Sequence, residues 1–143
     1  MNRLYEILEE KGGDVFEIDG DASVFEAVQL MVEMNAGSLL VTESGEITGI
    51  VTERDYLRRV TLEGRTERET AVREIMSSPL IVASPETTVD ECMALMTDRR
   101  IRHLPVIDGG AVVGVVSIGD LVKFQSKKQS FEIQYLTDYI TAR

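Results

Sequence analysis

A chain of 143 residues with 43% hydrophobic and 28% charged side chains has the size and composition of one soluble globular domain. No apolar run reaches the ~18–20 residues that a bilayer crossing requires, and a net charge of −10 disfavours nonspecific binding to nucleic acid or to an anionic membrane. The single Cys forms no intramolecular disulfide and the opening MNRLYEILEEKGG lacks the apolar segment of a secretory signal, so the expected location is the cytoplasm or an organelle interior.

Charge is unevenly placed. Residues 1–50 hold two basic side chains, Arg3 and Lys11, against eleven acidic ones, and the densest basic cluster is DRRIRH at 98–103. In chain order, VFEI at 15–18 reads as a short strand. A helix follows from Ser23, with Glu26 three residues on in the pattern of a capping box. Val24, Ala27, Val28 and Met31 give that helix a buried stripe at helical spacing. SLLVTESGEITGIV at 38–51 reads as two strands joined at ESGE, and another helix starts at Thr52. LEGRTERET at 62–70 is an exposed connection.

The pattern then restarts. LIVA at 80–83 reads as a strand between Pro79 and Pro85. A helix starts at Thr88, again with a Glu three residues on, and Val89, Cys92, Met93 and Met96 form its stripe. HLPVIDGGAVVGVV at 103–116 reads as a hairpin, and a last helix starts at Ser117. Shifting the sequence by sixty-five positions aligns 16–57 with 81–122 without a gap, pairing Leu39 and Val41 with Leu104 and Val106, Gly49 with Gly114, and Asp55 with Asp120. This is an internal duplication. A shorter echo, LYEIL at 4–8 and VREIM at 72–76, recurs at a spacing of sixty-eight. At 130–143, Phe131, Tyr135 and Tyr139 fall four apart with Leu136 and Ile140 beside them, the pattern of an amphipathic helix that packs on its own chain or on a second subunit.

GIVTERD at 49–55 and GVVSIGD at 114–120 share one form: Gly, two β-branched residues, Thr or Ser, two variable residues, then Asp. Two readings stand. In the first, Thr52 with Asp55 and Ser117 with Asp120 only cap helices, where a first-turn carboxylate is worth ~0.3–1 kcal/mol. In the second, each helix start presents free N–H groups to a phosphate while the Asp accepts hydrogen bonds from both hydroxyls of a ribose. Both copies use Asp, although Glu would cap equally well.

The copies differ nearby. Ala36, Gly37 and Ser38 align with Ile101, Arg102 and His103, and Arg102 and His103 are candidates for binding an anion. Arg99 and Arg100 are equally readable as partners of Asp98 or Glu91 on the helix surface. Arg54, within the first motif, is a further anion candidate, and Gly119 replaces it in the second. A lone histidine, a Cys aligned with the buried Ala27, and the lack of a P-loop or metal-ligand cluster all argue against catalysis.

Together these motifs resemble a stand-alone pair of cystathionine β-synthase (CBS) domains. The resemblance rests on the Gly-h-h-[Ser/Thr]-x-x-Asp motif in both copies, on RIRHLPVID as a second-strand signature and on VREIMSSP as a lead-in, and it spans about 4–125. It implies an α/β (α+β) fold of two βαββα repeats packed pseudo-symmetrically, with extra N- and C-terminal helices. The chain would divide into 1–64 (N-terminal helix and first repeat), 65–125 (second repeat with its lead-in helix) and 126–143 (C-terminal helix).

The resemblance also implies regulation and not catalysis. An adenosyl ligand such as AMP, ATP, NAD or S-adenosylmethionine would lie in the cleft between the repeats. Thr52, Asp55, Ser117 and Asp120 would serve its ribose and phosphate, Arg54, Arg102 and His103 its phosphate, and Ile81, Val82 and Pro105 its adenine. The partners implied are a second copy in a flat homodimer and an unidentified regulated protein. The alternative is a structural dimerisation module with degenerate, unoccupied sites. CBS pairs also occur within IMP dehydrogenase, but this sequence contains no barrel or catalytic loop.

Overall fold

Residues 2–141 are described by a computed structural model, with side chains described through residue 130 and at Gln134. The duplicated signals build duplicated elements. Helix α1 (Leu4–Lys11) precedes the first repeat, which consists of β1 (Glu17–Asp19), α2 (Val24–Met34), β2 (Ser38–Glu43), β3 (Glu46–Thr52) and the short α3 (Glu53–Tyr56). After α3 the chain continues as a wider helical turn, Leu57–Thr61, in which the Leu62 N–H bonds the Leu57 carbonyl at 3.1 Å. A 3-10 turn at Val72–Glu74 leads into the second repeat, α4 (Val89–Arg99), β4 (His103–Asp108), β5 (Ala111–Ser117) and α5 (Ile118–Thr141). No Gly or Pro follows Gly119, so α5 runs on without a break. The helix expected at 130 is therefore its continuation. The proposed face of Phe131, Tyr135, Leu136, Tyr139 and Ile140 lies outside the described side chains.

Capping sets where the helices start. At α2, the Glu26 N–H donates to the Ser23 hydroxyl at 3.1 Å and the Ser23 N–H donates to the Glu26 carboxylate at 3.2 Å, a full reciprocal box. At α4 only one arm forms, the Glu91 N–H to the Thr88 hydroxyl at 3.1 Å, so the second expected box is a half box. Each hairpin turns on two consecutive residues with positive φ, Ser44 (52°) with Gly45 (80°) and Gly109 (59°) with Gly110 (82°). That backbone suits a tight turn between twisted strands and favours glycine.

The chain forms two compact units, Asp14–Val82, and Met1–Gly13 together with Ala83–Arg143. The boundaries 1–64, 65–125 and 126–143 follow order along the chain, whereas in space the lead-in segments are exchanged. In the first-repeat unit the lead-in at 70–72 satisfies the start of α2: the Val24 N–H bonds the Thr70 carbonyl and the Val72 N–H bonds the Ala22 carbonyl, both at 2.8 Å. In the other unit residues 2–4 do the same for α4, with the Val89 N–H on the Asn2 carbonyl and the Leu4 N–H on the Thr87 carbonyl, both at 2.9 Å. First-turn N–H groups have no partner within their own helix, so each lead-in supplies what its helix lacks.

In the Asp14–Val82 unit the strand order is β1-β2-β3, with β1 parallel and β3 antiparallel to β2. Its buried core is Val24, Ala27, Met31, Leu39, Val41, Val51, Val60, Val72 and Ile75. In the other unit β4 and β5 pair antiparallel, and the expected strand LIVA is reduced to a single parallel bridge from Ala83 to Val106. The reason is Pro105. Its counterpart Leu40 donates its N–H to the Phe16 carbonyl at 2.9 Å, but proline has no N–H to donate. Only the bonds on either side of Ala83 remain, the Ala83 N–H to the Pro105 carbonyl at 3.0 Å and the Ile107 N–H to the Ala83 carbonyl at 2.8 Å.

The lead-ins also press on the strands through two equivalent glycines. A Cβ on Gly114 would lie 2.6 Å from Leu8 Cδ2, and one on Gly49 would lie 2.6 Å from Met76 Sδ and 2.8 Å from the Ser77 carbonyl oxygen. Leu8 is a flexible tip and can yield, whereas the Ser77 oxygen belongs to a backbone already bonded to Ile50 at 3.1 Å. Gly49→Ala is therefore expected to destabilise the protein more than Gly114→Ala, by an amount on the order of 1–3 kcal/mol. Denaturant unfolding of the two variants checks this; equal midpoints would refute it.

Candidate functional site

Both motifs stand where a strand hands over to a helix. Thr52 ends β3 and caps α3: the Asp55 N–H donates to the Thr52 hydroxyl oxygen at 3.3 Å. Asp55 Oδ2 accepts in turn from the Thr52 N–H (2.9 Å) and hydroxyl (3.1 Å). Ser117 ends β5 in the same way, with the Asp120 N–H on Ser117 Oγ at 3.1 Å and the Ser117 N–H on Asp120 Oδ2 at 2.9 Å. The capping geometry is thus realised in both copies. Both carboxylates are half-buried.

The strand beside each motif brings up the residues aligned by the duplication. Ser38 pairs with Thr52, and the Gly37 carbonyl accepts from the Glu53 N–H at 3.2 Å. His103 pairs with Ser117, and the Arg102 carbonyl accepts from the Ile118 N–H at 2.9 Å. Arg102 and His103 therefore stand at the start of α5 with Ser117 and Asp120, where the first repeat has only Gly37 and Ser38. Arg102 is exposed and His103 half-buried. Thr52, half-buried Arg54 and Asp55 share the other unit with Ile81, which is half-buried, and Val82, which is exposed. Pro105 is buried in β4. Arg99 lies 3.5 Å from Asp98, and Arg100 ends α4 in the left-handed conformation (φ 55°) that its counterpart Asn35 adopts at the end of α2 (φ 51°).

Sequence reasoning missed Lys11. At the end of α1, its ammonium donates to Asp120 Oδ2 at 2.7 Å and to the Val115 carbonyl at 2.8 Å. The signal was available in the echo between 4–8 and 72–76, which carried forward places Lys11 opposite Pro79. The two carboxyls consequently differ. Burial raises the Asp55 pKa above the ordinary carboxylate value; the Thr52 hydrogen bonds and the charges of Arg59 and Arg58 offset it only in part. Burial also pushes Asp120 upward and is the largest single influence there. The Lys11 hydrogen bond, the Ser117 N–H, the Lys11 charge and the Ser117 hydroxyl together outweigh it and hold Asp120 below the ordinary value.

Two other features remain, a groove that borders the first motif through Gly37 and Glu53, and a buried thiol. A groove of about 430 Å³ in the Asp14–Val82 unit is lined by Val28, Met31, Val32, Tyr56 and Leu57 among others. Cys92 is fully buried, and its thiol is pushed up to about 11 by burial, so it is inert packing.

The CBS domain family matches the chain twice, over residues 11–62 and 72–127. This chain belongs to the CBS domain family. It is 45% identical over 125 residues to the mitochondrial CBS domain-containing protein CBSX3 of Arabidopsis thaliana, covering 84% of this chain and 61% of that protein. This chain thus spans about three-fifths of that relative's length. Among solved structures it resembles a protein with CBS domains from Burkholderia ambifaria MC40-6 (TM-score 0.82, 46% identity, 85% of this chain and 92% of the other). It also resembles a hexameric CBS-CP12 protein from bloom-forming cyanobacteria (TM-score 0.77, 35% identity, 85% and 70%). CBS domains are generally regulatory or ligand-binding modules, and the two repeats seen here, the second with its first strand reduced to a bridge, are CBS repeats.

The opposed pKa shifts have opposed consequences. Asp120, depressed when folded, contributes stability that is present above its unfolded value of 3.8 and lost as pH falls through the lower folded value. Asp55, raised when folded, contributes stability that is complete below 3.8 and lost as pH rises through its higher folded value. Carboxyl NMR titration is expected to place Asp120 below 3.8 and Asp55 above it. Lys11→Met should move the Asp120 midpoint upward and leave Asp55 in place. An Asp120 midpoint indifferent to that substitution would refute the ion pair.

Proposed function

We propose that the chain is a regulatory adenosyl-ligand sensor, binding AMP, ATP, NAD or S-adenosylmethionine through its two motifs and passing occupancy on to a partner protein. The observation that carries this reading is the repeated junction itself: a hydroxyl and a half-buried carboxylate held against the first N–H groups of a helix, once in each repeat. In the reading, the carboxylate accepts the ribose hydroxyls, and Thr52, Ser117, Arg54, Arg102 and His103 attend the phosphate. The residues proposed for the adenine are Ile81 and Val82 in the Asp14–Val82 unit and the β4 segment around Pro105 in the other. CBS domains generally bind adenosyl ligands, which favours this class of ligand over others. The proposed role is regulatory and not catalytic. The proposed residence is the cytoplasm or, in keeping with the mitochondrial relative, an organelle interior.

Self-association is part of the proposal. Leu57 and its counterpart Val122, each in the helix after its motif, are 54% and 49% exposed, and a large apolar residue kept exposed at both equivalent positions suits a homodimer contact. A second reading, a dimerisation module with unoccupied sites, draws on the capping geometry and on Lys11, which already occupies Asp120.

Calorimetry with AMP, ATP, NAD, S-adenosylmethionine and adenosine decides between them, and absence of binding by all five would leave the dimerisation module. Asp120→Ala is expected to lose at least about tenfold in affinity, because hydrogen bonds to a charged group contribute about 1.5–3 kcal/mol each. Asp55→Ala should lose less. Arg102→Ala is expected to weaken AMP while leaving adenosine nearly unchanged; equal losses would make that arginine a packing residue. For the dimer, Leu57→Glu with Val122→Glu should shift sedimentation toward the monomer, and an unmoved association constant would refute the contact.

A further inference from the structure

Lys11 is held at the second motif by more than its ion pair. The last turn of α1 lies along β5 through three contacts: Leu8 over Gly114, the Lys11 ammonium on the Val115 carbonyl, and Gly13 against the Val113 carbonyl, where a Cβ would come within 2.5 Å of the oxygen. Gly12, with φ at 85°, turns the chain out of the helix while its N–H bonds the Leu8 carbonyl at 2.8 Å. The ammonium is thus delivered by a docked backbone and held by a main-chain oxygen that does not depend on Asp120. Its side chain is 37% exposed, so a molecule arriving from solvent can reach it.

The first repeat has no equivalent. Its lead-in presses Met76 on Gly49 as Leu8 presses on Gly114, but the position corresponding to Lys11 is Pro79. One carboxylate therefore carries an ammonium from its lead-in and the other does not. In a chain of net charge −10, the Lys11 ammonium hydrogen-bonded to Asp120 offers an incoming ligand a donor beside an acceptor, whereas Asp55 has the charges of Arg58 and Arg59 near it but no ammonium on its carboxylate. A phosphorylated nucleoside needs both within one sugar's reach, an acceptor for its hydroxyls and a donor for its phosphate.

We propose that Lys11, in addition to Arg102 and His103, makes the second motif select a phosphorylated ligand: its ammonium stays on the Val115 carbonyl and turns from Asp120 to the ligand phosphate, freeing Asp120 for the ribose hydroxyls. This rests on the reading of the motifs as adenosyl-ligand sites and adds a residue and the repeat that decide ligand charge. The test is calorimetry of the full chain with AMP and with adenosine, on the wild type, Lys11→Met and Lys11→Arg. Lys11→Met is expected to weaken AMP by about tenfold or more, about 1.4 kcal/mol, while adenosine changes by less than about twofold. Lys11→Arg should keep most of the preference for AMP. Equal losses for both ligands would overturn the proposal by making Lys11 a fastener of α1, and gains for both would overturn it by making Lys11 a competitor for Asp120. A wild type that binds AMP no better than adenosine, or binds neither, overturns this proposal alone, whereas a wild type that binds none of AMP, ATP, NAD, S-adenosylmethionine and adenosine removes the site reading with it.

Discussion

Each repeat depends on a bare backbone position in the strand before its motif. Gly49 and Gly114 admit the lead-in side chains Met76 and Leu8 to distances at which a Cβ could not exist. That close approach lets the lead-in lie along the strand, where it also supplies carbonyl and N–H partners to the start of the neighbouring helix, α2 or α4. Without it, the free donors of the helix first turn would lose their main-chain partners. The Gly that opens the motif is thus a docking surface for the lead-in, and the Asp that closes the motif is a cap.

The duplication preserved this frame and let the chemistry around it diverge. Hairpin turns, left-handed helix ends at Asn35 and Arg100, and the capped Asp recur at equivalent positions. What changed is hydrogen bonding and charge. Pro105 removes a donor that Leu40 supplies, so the second repeat loses its first strand and keeps one bridge. Lys11 pairs with the second Asp while Arg102 and His103 lie on the strand beside Ser117, against Gly37 and Ser38 in the first repeat and Pro79 in its lead-in. Two carboxyls with the same backbone partners consequently shift in opposite directions, because burial decides one and a neighbouring ammonium decides the other.

Regulation by a small molecule is consistent with that division of labour. In the proposed reading, the equivalent backbone of the two repeats would give each a place for a sugar, and their unequal charge would give them unequal preferences. A ligand shifts an equilibrium only by its differential affinity for two states. The second motif touches an element that such a ligand would pull on, since Lys11 ends a helix docked on β5.

Read alone, the sequence determined whatever is set by neighbours along the chain: the repeat, the helix starts at Ser23, Thr52, Thr88 and Ser117, the hairpins, and the pairing of each hydroxyl with its Asp. Caps act over three residues and tight turns over four, so their signals survive without knowledge of the fold. The tertiary structure decided the rest. That α1 serves the second repeat and the turn at 72–74 the first follows from the seating of Leu8 and Met76 on strand glycines, and no local signal encodes that choice. The loss of the LIVA strand lies in the missing N–H of Pro105, which has meaning only once the parallel neighbour is known. The Lys11–Asp120 pair joins residues 109 positions apart, and it sets the charge of the second motif. Coulombic attraction acts through space, and only the folded chain brought those two charges together.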